Sequence, residues 1–149
     1  MLIRNDKQRE QSAKMLAEMQ AAVKAETMKY QSQGHSAEEI KALIDPQLSL
    51  LDDVQQDIEI YDRWKTGDLT DFEAAGLDSL GRFLIASRIA KGVSQRTLAQ
   101  KMNVNESTVS RDECNEYHGI TIARAIKVLE ALDVEVLLDI CPLVMVDES

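Results

Sequence analysis

Few side chains in this 149-residue chain have the types and spacing that catalytic or metal chemistry requires. Its two histidines, His35 in a loop and His118 in a turn, stand far from any residue set that would complete a triad or a metal site. Cys114 and Cys141 lack metal-ligand or redox spacing and are expected as reduced thiols, a disulfide being the alternative. The acid run Asp68, Asp71, Glu73 and Asp78 lacks the glycine turn and ligand order of a calcium loop, and reads as a solvated linker. No enzyme activity, metal or cofactor is expected. What remains is hydrogen-bonding chemistry, and it concentrates in one stretch. Residues 92–111, Gly-Val-Ser-Gln-Arg-Thr-Leu-Ala-Gln-Lys-Met-Asn-Val-Asn-Glu-Ser-Thr-Val-Ser-Arg, interleave basic and polar side chains with apolar ones at helical spacing.

Short helices are needed to position those side chains. Leu80 to Lys91 reads as a first helix ending at Gly92, and Ser94 caps a second, Gln95 to Met102. Asn103-Val104-Asn105 makes a turn, a third helix runs from about Glu106 to Asn115, and a fourth spans Thr121 to Leu132. Leu98, Ala99, Val104 and Val109 fill the crossing of the two short helices, where Ala99 must be small. Leu84, Ile122, Ile126 and Leu129 are expected to complete the core. Any four-helix bundle would show such spacing. Ser94-Gln95, the small Ala99 and Thr108-Val109-Ser110-Arg111 occurring together are more particular. In them the segment from Leu80 to Val134 resembles the Xre (phage repressor and Cro) helix-turn-helix family, over a little more than a third of the chain.

The resemblance implies a lambda-repressor-like four-helix domain whose third helix enters the major groove with its N-terminal residues at base edges. By position, Glu106, Ser107 and Arg111 take the base-facing places. The planar fork of Arg111 suits O6 and N7 of guanine, while Glu106 could accept from cytosine N4 or weaken non-specific binding. Thr108 and Ser110 are implied as backbone or supporting contacts, and Gln95 as a phosphate contact with Arg96 beside it. Arg88 and Glu113 fall where the family places a buried ion pair. Asp112 departs from the pattern, standing where an apolar residue or Tyr is common.

The rest of the chain reads as supporting architecture, mainly α. With 4% aromatic residues, 6 Gly and 2 Pro, the composition favours helices with cores of Leu, Ile, Val, Met and Ala. The net charge of −9 is segregated, since residues 79–119 alone carry more bases (six) than acids (four). Residues 1–67 read as an antiparallel helical hairpin for oligomerisation or partner binding. One helix runs from about Asn5 to Gln31, a short one follows a Ser36–Glu39 capping box, and Asp45-Pro46 starts another over 46–66. The acidic linker spans 68–78 and the DNA-binding domain 79–133. From Val134 to Ile140 the tail is β-branched and partly alternating, and continues as Cys141-Pro142-Leu143-Val144-Met145-Val146. A terminal β-strand and dimerisation through 134–149 are expected, the alternative being a fifth helix.

No run is long enough to span a membrane, and the polar start after Met1-Leu2-Ile3 is unlike a signal peptide, so a cytoplasmic location is expected. The combined expectation is a sequence-specific regulator, a repressor binding an inverted-repeat operator in double-stranded DNA as a homodimer. The rival is the antitoxin of a toxin–antitoxin module, capturing a basic toxin on its acidic hairpin and autoregulating through the helix-turn-helix.

Overall fold

A computed structural model describes residues 2–142. Two long helices, α1 (Asp6–Ser32) and α2 (Ala37–Lys65), form an antiparallel hairpin. Four shorter ones follow: α3 (Leu80–Ala90), α4 (Gln95–Met102), α5 (Glu106–Cys114) and α6 (Ile122–Ala131). Local chemistry sets these starts. The Asn5 side chain accepts from the Gln8 amide at 2.9 Å. Ser36 and Glu39 cap α2 reciprocally at 3.2 and 2.9 Å. Ser94 accepts from the Thr97 amide at 3.0 Å, and Thr121 from the Arg124 amide at 3.2 Å.

Pro46 does not begin a new helix; it lies inside a continuous α2. An interior proline costs about 3 kcal/mol through its missing N–H and its ring clash. Pro46 and Ala42, whose carbonyl loses its partner, are both exposed, so water can serve that group. Ile40 and Ile44 before the proline and Val54 and Ile58 after it are buried, each worth about 1.5–3 kcal/mol. Burial on both sides outweighs the break.

The open end of the hairpin is clasped by charge. Arg9 grips Asp62 through Nε (3.0 Å) and Nη2 (2.7 Å), while Asp6 accepts from Tyr61 Oη at 2.8 Å and Lys65 Nζ at 3.0 Å. Here the hairpin meets the bundle. Ile3, Tyr61 and Trp64 are buried in the same cluster as Leu84, Ile85, Leu98, Val109, Val128 and Leu132. Residues 68–78 are acidic but folded over this junction in two 3-10 turns, Thr70–Phe72 and Leu77–Ser79. Phe72 lies between Trp64 and Phe83, with ring centroids at 5.9 and 5.3 Å, and Arg63 forks onto Asp71 at 2.8 Å. The hairpin base and the helical bundle therefore share one core.

Within the bundle, Leu84, Leu98, Ala99 and Val109 are buried as their spacing predicts, with Val104 and Leu129 half-buried. Ile122 and Ile126 are not core residues; they are 61% and 48% exposed. Apolar residues stand on more than one face of α6, and Ala125, Val128 and Leu132 are the ones that face inward. The expected terminal strand is also corrected, because residues 134–142 are irregular and no strand occurs among the described residues. A strand needs a hydrogen-bonding edge beside it, and the described chain offers no second extended segment. Val134 packs against the core instead, while Leu137, Leu138 and Ile140 are exposed. Leu143 to Val146, the remainder of that expectation, lie outside the described residues.

Candidate nucleic-acid interface

The site is built on a buried charge cluster. Arg88, at the end of α3, and Glu113, at the end of α5, have side chains 4% and 0% exposed. The Arg88 Nε and Nη2 atoms donate to the two carboxylate oxygens of Glu113, the latter at 2.8 Å. Its remaining donors reach main-chain carbonyls, Nη1 to Val93 at 2.8 Å and Nη2 to Arg4 at 2.9 Å. Gln95, the first residue of α4, donates from Nε2 to Glu113 Oε2 at 2.6 Å. One carboxylate thus fixes the end of α3, the start of α4 and the end of α5 relative to one another. The Gln95 side chain, implied as a phosphate contact, is half-buried and engaged by Glu113.

That frame presents α5 to solvent. Glu106, Ser107 and Arg111 are exposed, and with half-buried Ser110 they fall at positions i, i+1, i+4 and i+5, along one side of the helix. Thr108 is half-buried on another side, in a cleft with Asp112 and Arg124. Asn105 precedes α5 in extended conformation but makes no side-chain cap, which leaves the first-turn amides free of side-chain acceptors. Arg96 is exposed in the first turn of α4.

The basic residues of this segment divide into two groups. Lys91 Nζ donates to the Asp133 carbonyl at 3.3 Å and Lys101 Nζ to the Ala131 carbonyl at 3.2 Å, where cations suit the carbonyl end of α6. Arg82 lies over the Trp64 ring at 5.9 Å. Arg96 and Arg111 remain, and neither has an ion-pair partner among the described residues. Two unpaired cations, Arg96 in the first turn of α4 and Arg111 in the last turn of α5, suit an anionic polymer.

Three contributors carry little or no local sequence signal. Asp112 accepts from Arg124 Nη2 at 2.6 Å, so the carboxylate that departs from the family pattern ties α5 to α6. Gly81 sits inside α3 where the 115–120 loop folds back. A Cβ there would lie 1.9 Å from the Glu116 carbonyl oxygen. A glycine inside a helix is itself a hint of such an approach. Arg4, 106 positions before Ser110, donates from Nη1 to the Ser110 carbonyl at 3.2 Å. Tyr117, buried by the same loop, has its phenol pushed up by burial and by the Glu113 charge. Among the described residues no group of three His, Cys, Asp or Glu is placed to hold a metal, and no helix is long and apolar enough to cross a membrane. Both cysteines are exposed and free.

The geometry of α3 to α6, two short helices crossing at Leu98 and Ala99 with the second one's exposed row outward, agrees with a comparison against known families. The helix-turn-helix family model matches residues 84–138. Those residues form a Cro-type helix-turn-helix domain, of the family of Xre-like regulators. Such a domain binds DNA and regulates transcription. No curated protein and no solved structure matches the chain.

Proposed function

We propose that this protein is a repressor that binds an inverted-repeat operator as a homodimer and reads it through α5. The supporting observation is the exposed row Glu106, Ser107 and Arg111 on a helix whose far end is locked by Arg88, Gln95 and Glu113. Arg111 reads guanine through its bidentate fork, Ser107 takes a base edge or a phosphate, and Glu106 accepts from a cytosine amine. Ser110 and Thr108 support from the flanks, and Arg96 neutralises the backbone. A two-fold arrangement suits the exposed apolar side chain Leu77, which lines one cleft with Ile122 and another with Leu137 and Leu138. This reading places the protein in the cytoplasm with its DNA. Sites enriched from random duplexes, followed by sedimentation of the complex, test it. Two chains on a palindromic site are expected; one chain on a site without symmetry would contradict the dimer.

A second reading keeps the operator and gives the hairpin a protein to hold. Met15, Met28, Leu43, Leu48 and Leu50 are exposed along α1 and α2, more apolar surface than a purely solvated hairpin needs. A basic toxin would complement the acidic hairpin and linker, making the protein an antitoxin that autoregulates. Stoichiometric, salt-sensitive binding of a basic toxin encoded beside this chain, lost on Leu43→Asp with Leu50→Asp, would favour it. No binding would leave the hairpin to structure alone.

A further inference from the structure

Between the hairpin base and the starts of α4 and α5 lies a cleft of about 270 Å³. Its walls include Arg4, Lys65 and Asp6 from the hairpin end and Ser94, Gln95 and Glu106 from the helix-turn-helix. Arg4 is held there as a fixed part. Its amide donates to Gln8 Oε1 at 2.9 Å, its carbonyl accepts from buried Arg88 at 2.9 Å, and its neighbour Ile3 is 2% exposed in the core. Its side chain runs along α5, with Nη1 on the Ser110 carbonyl at 3.2 Å and Glu106 one turn away in the same cleft. A guanidinium has five donors, so the Ser110 contact leaves the fork able to bind an oxyanion.

We infer that Arg4 is a DNA-contact residue that binds a backbone phosphate beside α5, so the nucleic-acid interface extends beyond the helix-turn-helix into the segment preceding the hairpin. The inference rests on the reading that α5 enters the groove. Once it does, the Glu106 carboxylate at its start faces a phosphate-lined channel and repels it. Arg4 supplies the compensating cation in the same cleft, already ordered by three anchors. A preordered cation loses little entropy on binding. Ordinary surface lysines lack this restraint.

The test measures binding of the full chain to its enriched duplex by fluorescence anisotropy over a series of salt concentrations. Wild type is compared with Arg4→Ala and Arg4→Lys. Loss of one phosphate contact predicts about tenfold weaker binding for Arg4→Ala near 0.1 M salt. It also predicts a salt slope shallower by about 0.9. Base preference should be unchanged, and Arg4→Lys should keep the wild-type slope because the charge remains. If Arg4→Ala unfolds at the assay temperature, Arg4→Gln carries the same comparison. An unchanged slope in the neutral variants overturns the inference even if binding weakens, since Arg4 would then only fasten α5. Absence of any preferred duplex for wild type is a different failure, which removes the groove reading and this inference with it.

Discussion

Replacing Arg88 with methionine would leave the Glu113 carboxylate buried with only the Gln95 amide for company. Orphaning one partner of a buried pair costs about 3–5 kcal/mol, because the remaining charge stays out of water. Arg88→Met should therefore lower the unfolding free energy from denaturant titration by that amount, and a loss under 1 kcal/mol would mean that the carboxylate finds water or a proton. The pair was legible in the sequence through the family resemblance, as were the exposed residues of α5. The partners that complete the network were not. The Arg4 carbonyl, at the far end of the chain, accepts from Arg88, and nothing local to residue 4 or residue 88 announces that contact. Asp112 likewise looks like a departure until Arg124 is found beside it.

At the scale of elements, helical periodicity located the α-helical segments of the described residues, but it divided α2 at Pro46 and could not choose among faces or weigh a break. α6 carries exposed isoleucines at 122 and 126 and core residues at 125 and 128, on adjacent faces of the helix, and periodicity alone does not say which face is buried. Pro46 is a stop signal by itself, and only packing on either side of it carries α2 through. The tail has strand-like residues but no edge to pair with among the described residues, and propensity alone makes no strand. Gly81 shows tertiary constraint most sharply. In an isolated helix, Gly→Ala gains about 0.5–1 kcal/mol. Here the new methyl would meet the Glu116 carbonyl, in a loop already holding Glu116 and Tyr117 at φ of 49° and 53°. Gly81→Ala is expected to destabilise by about 1–3 kcal/mol, as overpacking does. Thermal melting checks it, and a raised midpoint would show that the loop yields freely.

The whole molecule is acidic, yet the proposed function depends on a small cationic face. Segregation by region, readable in the sequence, makes these compatible. The acids also serve the fold. Hydrogen bonds from Lys65 and Tyr61 hold the Asp6 carboxyl below the usual range, and the Arg9 fork does the same for Asp62. Carboxylates unfold to a pKa of about 3.9. A lowered folded value gives stability that is complete above that pH and is lost as pH falls through the folded values. The clasp should thus add nothing pH-dependent above about pH 5 and weaken below about pH 4, modestly, because both carboxylates are largely exposed to water and salt. Melting curves between pH 3 and 7 for wild type and for Asp6→Asn with Asp62→Asn would show it. The double variant should lose less stability on acidification, and equal losses would place the acid sensitivity elsewhere.

We propose that α5 reads base sequence through Arg111. Enrichment of preferred duplexes from a random pool, with wild type and Arg111→Ala side by side, tests it most directly. An inverted repeat with a guanine in each half-site is expected for wild type. The variant should lose that guanine preference, about 1–3 kcal/mol of discrimination, at an unchanged melting midpoint. Enrichment of the same site by both proteins, or by neither, would contradict it.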